Sequence, residues 1–229
     1  MSNKTDVIPG VVKTFVPAAL VLDMDGLMVD SEPLWFEVER AFAAERGGDW
    51  TIAHAHAAVG RGLAATLAMM HKAFGFRVDI ARDTAQIEDA FIARVRDLAL
   101  KPGCVELLDA AAAMPLAVAS SSPMRLIRAV LERFAITERF QAIVSGELVA
   151  HPKPAPDIFL LTAHELGVAP ARCAVIEDSL AGVTAGHAAG MFVVAVPEGP
   201  PGGRGFEAVS NVIVKDLFEA WRVLQAPLR

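Results

Sequence analysis

The chain has 229 residues, 54% hydrophobic and 21% charged, a globular composition long enough to bury a proper core, which excludes a disordered chain. Its formal net charge of −6 argues against a general nucleic-acid binder, which is normally basic, yet leaves room for an anionic substrate held by a metal and a few local cations. No apolar run approaches the roughly 18 residues of a membrane span, no signal-peptide pattern is present, and Cys104 and Cys173 stand far apart without metal-ligand spacing. The expectation is a cytoplasmic protein, a monomer or weak homodimer, with no nucleic-acid or membrane partner.

Residues 1–16 are weakly patterned and read as a tail. Ala18 to Leu22 is a short apolar run without alternation, the signature of a strand buried on both faces of a parallel sheet. It ends in Asp23-Met24-Asp25-Gly26. Carboxylates are costly inside a sheet, so both aspartates belong at its carboxyl end, where open α/β sheets bind ligands. Gly26 permits a sharp turn and a close approach of backbone N–H groups to a ligand. From Asp30-Ser31-Glu32-Pro33 onward the pattern turns helical, with Trp35, Val38 and Phe42, then Leu63, Leu67, Met70 and Phe74, then Ile87, Phe91, Val95 and Leu98 as apolar stripes. This predicts a helical module inserted after the first strand. After Lys101-Pro102-Gly103, apolar strands alternate with helices: Leu116 to Ala119, Ala142 to Val144, Ala174 to Ile176, Phe192 to Val196, and a sixth over Val212 to Val214. Pro123 reads as the first residue of the helix after the second strand. Alternation of this kind means a parallel sheet with right-handed crossovers. The predicted fold is α/β, a Rossmann-like parallel core over 17–30 and 100–229 with a helical cap over 31–99.

Each strong strand ends in polar residues: Asp23 and Asp25, then Ser120-Ser121-Ser122, then Glu177-Asp178-Ser179. In a doubly wound sheet these ends share one edge and converge. Lys153 stands between, bracketed by Pro152 and Pro154, which fix its loop. Phosphoryl transfer requires a nucleophile, a charge-neutralising cation and donors for the phosphoryl oxygens. Asp23 can be the nucleophile and a Mg²⁺ ligand, with Asp178 and Glu177 as further ligands. Ser120 and a backbone N–H at Ser121 can donate to phosphate, and Lys153 can supply positive charge. Asp25 remains as the acid and base, and crowding by other carboxylates would raise its pKa to suit.

This set resembles the haloacid dehalogenase-like hydrolase superfamily, in its subgroup with a helical cap after the first strand. Leu22-Asp23-Met24-Asp25-Gly26, Ser120, Lys153 in Lys153-Pro154-Ala155-Pro156-Asp157, and Glu177-Asp178-Ser179 match its four motifs in order over about residues 18 to 220. Each motif is modest alone; the four in sequence are specific. The resemblance implies a phosphate ester substrate, Mg²⁺ bound by the Asp23 carboxylate, the Asp25 backbone carbonyl and Asp178, and an aspartyl-phosphate intermediate on Asp23. Members that cleave carbon–halogen bonds lack the second aspartate, so Asp25 points to phosphate transfer. Asp23 to Trp35 and Val118 to Pro123 are similar to sugar-phosphate phosphatases, and β-phosphoglucomutases share most of the same core. One departure is Pro152, where the family has a small or basic residue before its lysine.

In the cap, Arg61 between two glycines is a candidate for reaching the substrate. His151 is a second candidate, at the mouth of the site. His54 and His56, at i and i+2, read as solvated surface, and Trp35 reads as cap core. Three functions remain: a phosphatase for a small phosphomonoester, a phosphoglucomutase that returns the phosphoryl group to another sugar hydroxyl, and a non-catalytic phosphate-binding protein on the same fold.

Overall fold

The computed structural model describes residues 15–59, 61–198 and 205–225. In chain order the elements are β1 (Ala19–Leu22), four helices α1 (Glu32–Ala44), α2 (Ile52–Ala58), α3 (Leu63–Phe74) and α4 (Ile80–Ile92), then α5 (Cys104–Ala110), β2 (Leu116–Ser120), α6 (Met124–Arg133), β3 (Ala142–Ser145), α7 (Asp157–Glu165), β4 (Cys173–Glu177), α8 (Leu180–Ala188), β5 (Phe192–Ala195), β6 (Val212–Ile213) and α9 (Leu217–Gln225). The six strands form one sheet in the order β3-β2-β1-β4-β5-β6, and every pairing is parallel. The tail over 1–14 and the glycine-proline stretch 199–204 lie outside the described residues.

The unalternated strand runs follow from burial on both faces. Leu20, Leu22, Val118, Ile176 and Val194 pack one way, against α5, α6 and α9 through Leu107, Leu126, Val130 and Leu217. Ala19, Val21, Ala117, Val175 and Val193 pack the other way, against α7 and α8 through Ile158, Phe159 and Val183. Successive side chains of a strand point to opposite faces, so both sets must be apolar. The first apolar set continues through Met24, Leu27 and Met28 into the cap, where it takes in Phe42, Trp50, Leu67 and Phe91.

β1 sits between β2 and β4, and the chain reverses its direction of growth there: β2 and β3 build one side, β4 to β6 the other. That is the switch point at which ligands bind in open α/β sheets. The two segments joining core to cap run together, with Asp30 N–H donating to the Ala99 carbonyl at 3.0 Å and Lys101 N–H to that of Met28 at 2.8 Å.

Two local expectations change. Pro123 is the cap residue before α6, with φ −57° and ψ 145°, and not the first helical residue. Ser31 stands at the cap position of α1 but its side chain does not cap the helix; its hydroxyl is used elsewhere, as described next.

Candidate active site

Asp23 is the first residue past β1, so the sheet fixes its backbone while its side chain clears the strand end. Lys153 Nζ donates to Asp23 Oδ1 at 2.6 Å, to Glu177 Oε1 at 2.6 Å and to the Ala119 carbonyl at 3.0 Å. This ammonium is almost fully buried and lies 5.0 Å from the centroid of the Phe159 ring beneath it. Burial opposes its charge, but Asp23 and Glu177 outweigh that and hold its pKa above the ordinary lysine value. Glu177 spends its other oxygen on Ser179, accepting from the backbone N–H and from Oγ, both at 3.0 Å.

Asp178 follows at the start of the next turn. One of its oxygens, Oδ1, is buried without a hydrogen-bond partner among the described residues. Burial, then the charges of Glu177, Asp23 and Glu32, push its pKa well above the carboxylate range. Asp23 is pushed up to about 8, first by burial, with Lys153 pulling back and Glu177 and Asp25 adding to the rise. Oxygens of Asp23, Glu177 and Asp178 lie within 4.8 Å of one another. Three buried carboxyls stand together with one lysine, and Asp178 Oδ1 among them has no hydrogen-bond partner among the described residues, so the donor set fits a hard divalent cation.

Asp25 occupies a different environment. Asp25 is ringed by donors: Ser31 Oγ at 2.7 Å and Trp35 Nε1 at 2.9 Å reach Oδ1, while Ser122 Oγ at 2.8 Å and Ser120 Oγ at 3.2 Å reach Oδ2. The Ser31 hydroxyl is diverted here from the helix cap. Trp35, read from its spacing as core, brings its indole N–H from the cap to a core carboxylate, while its ring packs on Phe91 with centroids 4.3 Å apart.

A family model described as haloacid dehalogenase-like hydrolase matches residues 17–190. The chain belongs to this family. Hexitol phosphatase B of Escherichia coli strain K12 is 32% identical over 198 residues, which cover 78% of this chain and 83% of that one. β-Phosphoglucomutase of Bacillus subtilis is 43% identical over 102 residues, 44% of this chain and 45% of the relative. The crystal structure of CbbY from Rhodobacter sphaeroides in complex with phosphate aligns with a TM-score of 0.81 at 26% identity, covering 89% of this chain and 96% of that one.

In this haloacid dehalogenase-like hydrolase a cavity of about 470 Å³ lies between the sheet edge and the cap, within the usual range for a small-molecule site. Its floor is Asp23, Asp25, Ser120, Ser121, Ser122 and Asp178, and its cap wall includes Trp35, Glu39, Arg40, His56 and Thr66. Lys153 and Glu177 are not on the wall; they lie behind Asp23. Gly26 does not offer its N–H to the cavity, because that group donates to the Val29 carbonyl at 2.9 Å. Its part is spatial: at φ +79° a Cβ would stand 2.2 Å from Asp178 Oδ2. Ser121 lines the cavity with its backbone against Gly62 of the cap, where a Cβ would lie 3.2 Å from the Ser121 carbonyl.

The cap candidates redistribute. Arg61 is exposed and is not among the lining residues, although Val59 and Gly62 beside it are. His151 is exposed and pairs with Asp157 at 2.8 Å, away from the cavity. His54 closes the start of α2 by accepting from the Thr51 N–H at 3.1 Å and stacks on Trp50, whereas His56, read as plain surface, lines the cavity. At the mouth, Lys101 from the second connecting segment donates to Glu198 at 3.0 Å. Glu32, partly buried beside Glu198, is pushed up to about 7, by burial first and by Glu198 next.

Two residues escaped the sequence reading. Gly182 was one alanine-and-glycine position among several, yet a Cβ there would lie 1.7 Å from Glu177 Oε1. Glu39 is a buried carboxyl inside the cap, with no apolar periodicity to announce it.

Proposed function

We propose that the chain is a Mg²⁺-dependent phosphatase that hydrolyses a small phosphomonoester, a sugar or sugar-alcohol phosphate, through an aspartyl phosphate on Asp23. The observation that carries the proposal is the buried Lys153–Asp23–Glu177 cluster beside the orphaned Asp178 oxygen, at the floor of a cavity under a cap. The naming of relatives such as hexitol phosphatase B and the fructose-1-phosphate phosphatase YqaB of Escherichia coli supports the substrate class.

Asp23 and Asp178 would hold Mg²⁺ together with the Asp25 carbonyl, with Glu177 securing Lys153 beside them. The ion supplies charge neutralisation for the phosphoryl oxygens when bound. Lys153 pins Asp23 Oδ1, which orients the carboxylate and leaves Oδ2 to attack phosphorus. As the Asp23–phosphorus bond forms and the ester P–O bond breaks, the leaving alkoxide takes a proton from Asp25. Water then attacks phosphorus, Asp25 takes the water's proton, and the P–O bond to Asp23 breaks to give inorganic phosphate and the original carboxylate. Ser120 and the Ser121 backbone are placed to donate to the phosphoryl group. For Asp25 to meet a leaving oxygen it must release at least part of its present ring of donors, Trp35 of the cap among them. A cap that closes over the strand ends would exclude bulk water from the site.

We place the core–cap boundaries at 30/31 and 99/100, which the hydrogen bonding of the two connecting segments supports. The partial likeness to β-phosphoglucomutase leaves a mutase as the competing reading, and it makes one demand a phosphatase does not: a bisphosphate. Phosphate release from hexose, hexitol, pentose and gluconate phosphates and phosphoglycolate, with and without Mg²⁺, decides between them. The proposal expects metal-dependent release from sugar phosphates, abolished in Asp23→Asn. Retained turnover in Asp23→Asn, or isomerisation of β-glucose 1-phosphate that depends on a bisphosphate, would overturn it.

A further inference from the structure

Helix α1 contacts the catalytic floor at one end and lines the cavity along its length. Trp35 touches Asp25, and Glu39 lies one turn further from the reacting end, about 6 Å along the axis at 1.5 Å per residue. Both side chains line the cavity. The Glu39 residue is 6% exposed. Its Oε2 accepts from Trp50 Nε1 at 2.9 Å, and among the described residues it has no other hydrogen-bond partner and no ion-pair partner. Trp50 is itself fully buried, stacked on His54 and packed edge-on to Phe74. The carboxyl is therefore held in a fixed direction by a rigid aromatic layer, with Oε1 left for whatever enters the cavity. Among the described residues the fully buried side-chain oxygen without a partner is Asp178 Oδ1, so Glu39 Oε1 keeps open space beside it and is available to a ligand.

The charge around it narrows what that use is. Away from the catalytic floor the cavity is lined by Asp30, Glu32, Glu37, Glu39 and Glu198, against one guanidinium, Arg40. Lys101 pairs with Asp30 and Glu198, and Arg94 with Glu37, so a second anionic group on the substrate would meet the two carboxyls that have no ion-pair partner among the described residues, Glu32 and Glu39. Burial pushes the Glu39 pKa up to about 7, so near neutrality the group offers a carboxyl as well as a carboxylate, a mixture suited to a hydroxyl that can both donate and accept.

We propose that Glu39 is a specificity-determining residue that hydrogen-bonds a substrate hydroxyl one helical turn beyond the Trp35–Asp25 contact, and that the cavity selects phosphomonoesters whose far end is neutral and polyhydroxylated over those carrying a second anion. This rests on the phosphatase reading above.

The test compares kcat/KM with Mg²⁺ for wild type and Glu39→Gln on glucitol 6-phosphate, glucosamine 6-phosphate, 6-phosphogluconate and p-nitrophenyl phosphate. The glutamine keeps an acceptor for Trp50 but turns an N–H₂ toward the cavity. The proposal expects a loss of about tenfold or more for the glucitol ester in Glu39→Gln, carried mainly by KM, and a change within about twofold for the nitrophenyl ester, which has no hydroxyl to read. In the wild type it expects the glucitol ester to exceed the gluconate ester by about tenfold or more, a comparison that needs no variant to fold. Equal losses on the glucitol and nitrophenyl esters in Glu39→Gln, no loss on either, or a wild-type preference for the gluconate ester over the glucitol or the amino ester overturns it. Absence of turnover of all four esters in the wild type overturns the phosphatase reading itself, and this inference with it.

Discussion

Glu177 is the least exposed charged group in the site and the one on which the others lean. Its carboxylate divides between Lys153 and Ser179, and it fits only because residue 182 of α8 has no side chain. A Cβ at Gly182 would lie 1.7 Å from Oε1 and 1.9 Å from Cδ, so Gly182→Ala must displace the carboxylate and leave Lys153 buried with Asp23 alone. Disrupting a buried charge cluster costs about 3–5 kcal/mol, which for a chain of this size lowers Tm by on the order of 10 °C. Turnover should fall as well, because Lys153 no longer fixes Asp23. Gly190→Ala is the control: it sits at positive φ, +74°, unlike Gly182, but in open space, so it costs about 1 kcal/mol and leaves the rate unchanged. Equal melting temperatures and rates for the two variants would show that Glu177 does not depend on the space at position 182. The glutamate and the lysine were legible from their motifs. The glycine was not, because the constraint on it comes from a residue five positions earlier, on a strand that its helix packs against.

At the scale of an element, α1 carries two stripes. Leu34, Val38 and Phe42 face the core and are buried, and their spacing is visible in the sequence. Trp35 and Glu39 form the adjacent stripe, facing the cavity. Apolar periodicity cannot find the second stripe, because a buried glutamate is polar and a tryptophan one position from the core stripe looks like part of it. The same helix shows why its cap serine does not cap: Ser31 Oγ is turned to donate to the Asp25 carboxyl, away from the first-turn N–H groups from which a capping oxygen would accept. The buried carboxyl on this helix also sets a pH dependence. Its pKa rises from an ordinary 4.5 to about 7 in the folded chain, through burial, with the Trp50 hydrogen bond acting against the shift. In that window the unfolded chain has released a proton that the folded one retains. The stabilising contribution is full below pH 4.5 and is lost as pH rises through about 7. The loss is at most about 3 kcal/mol for a shift of this size. Denaturation midpoints of wild type and Glu39→Gln measured between pH 4.5 and 8 should therefore diverge, with the glutamine variant gaining on the wild type as pH rises. Parallel curves would mean that Glu39 is not desolvated.

For the whole molecule, the sheet order is what makes the site legible. Once β1, β2 and β4 are recognised as parallel, their carboxyl ends must lie side by side, and Asp23, Ser120 and Glu177 converge whatever the loops do. Which of these groups faces the cavity and which stands behind it depends on side-chain direction and on the cap above, and strand patterning carries neither. Lys153 is behind Asp23, Gly26 makes room instead of offering an N–H, and Arg61 points to solvent, for that reason. The same convergence leaves the folded chain with an electrostatic deficit that extends beyond the site: Asp23, Glu177 and Asp178 are buried against a single lysine, and Asp178 Oδ1 has no hydrogen-bond partner among the described residues. An ion that binds only the folded state stabilises it by mass action, about 2.7 kcal/mol at a concentration one hundredfold above Kd, worth roughly 5–10 °C in Tm for a chain of this length. Thermal melts in Mg²⁺ and in EDTA should show that gap in the wild type. Asp178→Asn should close it from both sides: at a pH where an exposed carboxyl is ionised the variant melts above the wild type in EDTA, because the cost that burial and the neighbouring carboxylates impose on ionising Asp178 is gone, and it gains little from Mg²⁺, because a ligand is gone. A full Mg²⁺ shift in Asp178→Asn would place the ion elsewhere. A variant less stable than wild type in EDTA would mean that the unmatched oxygen is not a cost that the fold carries for the sake of the metal.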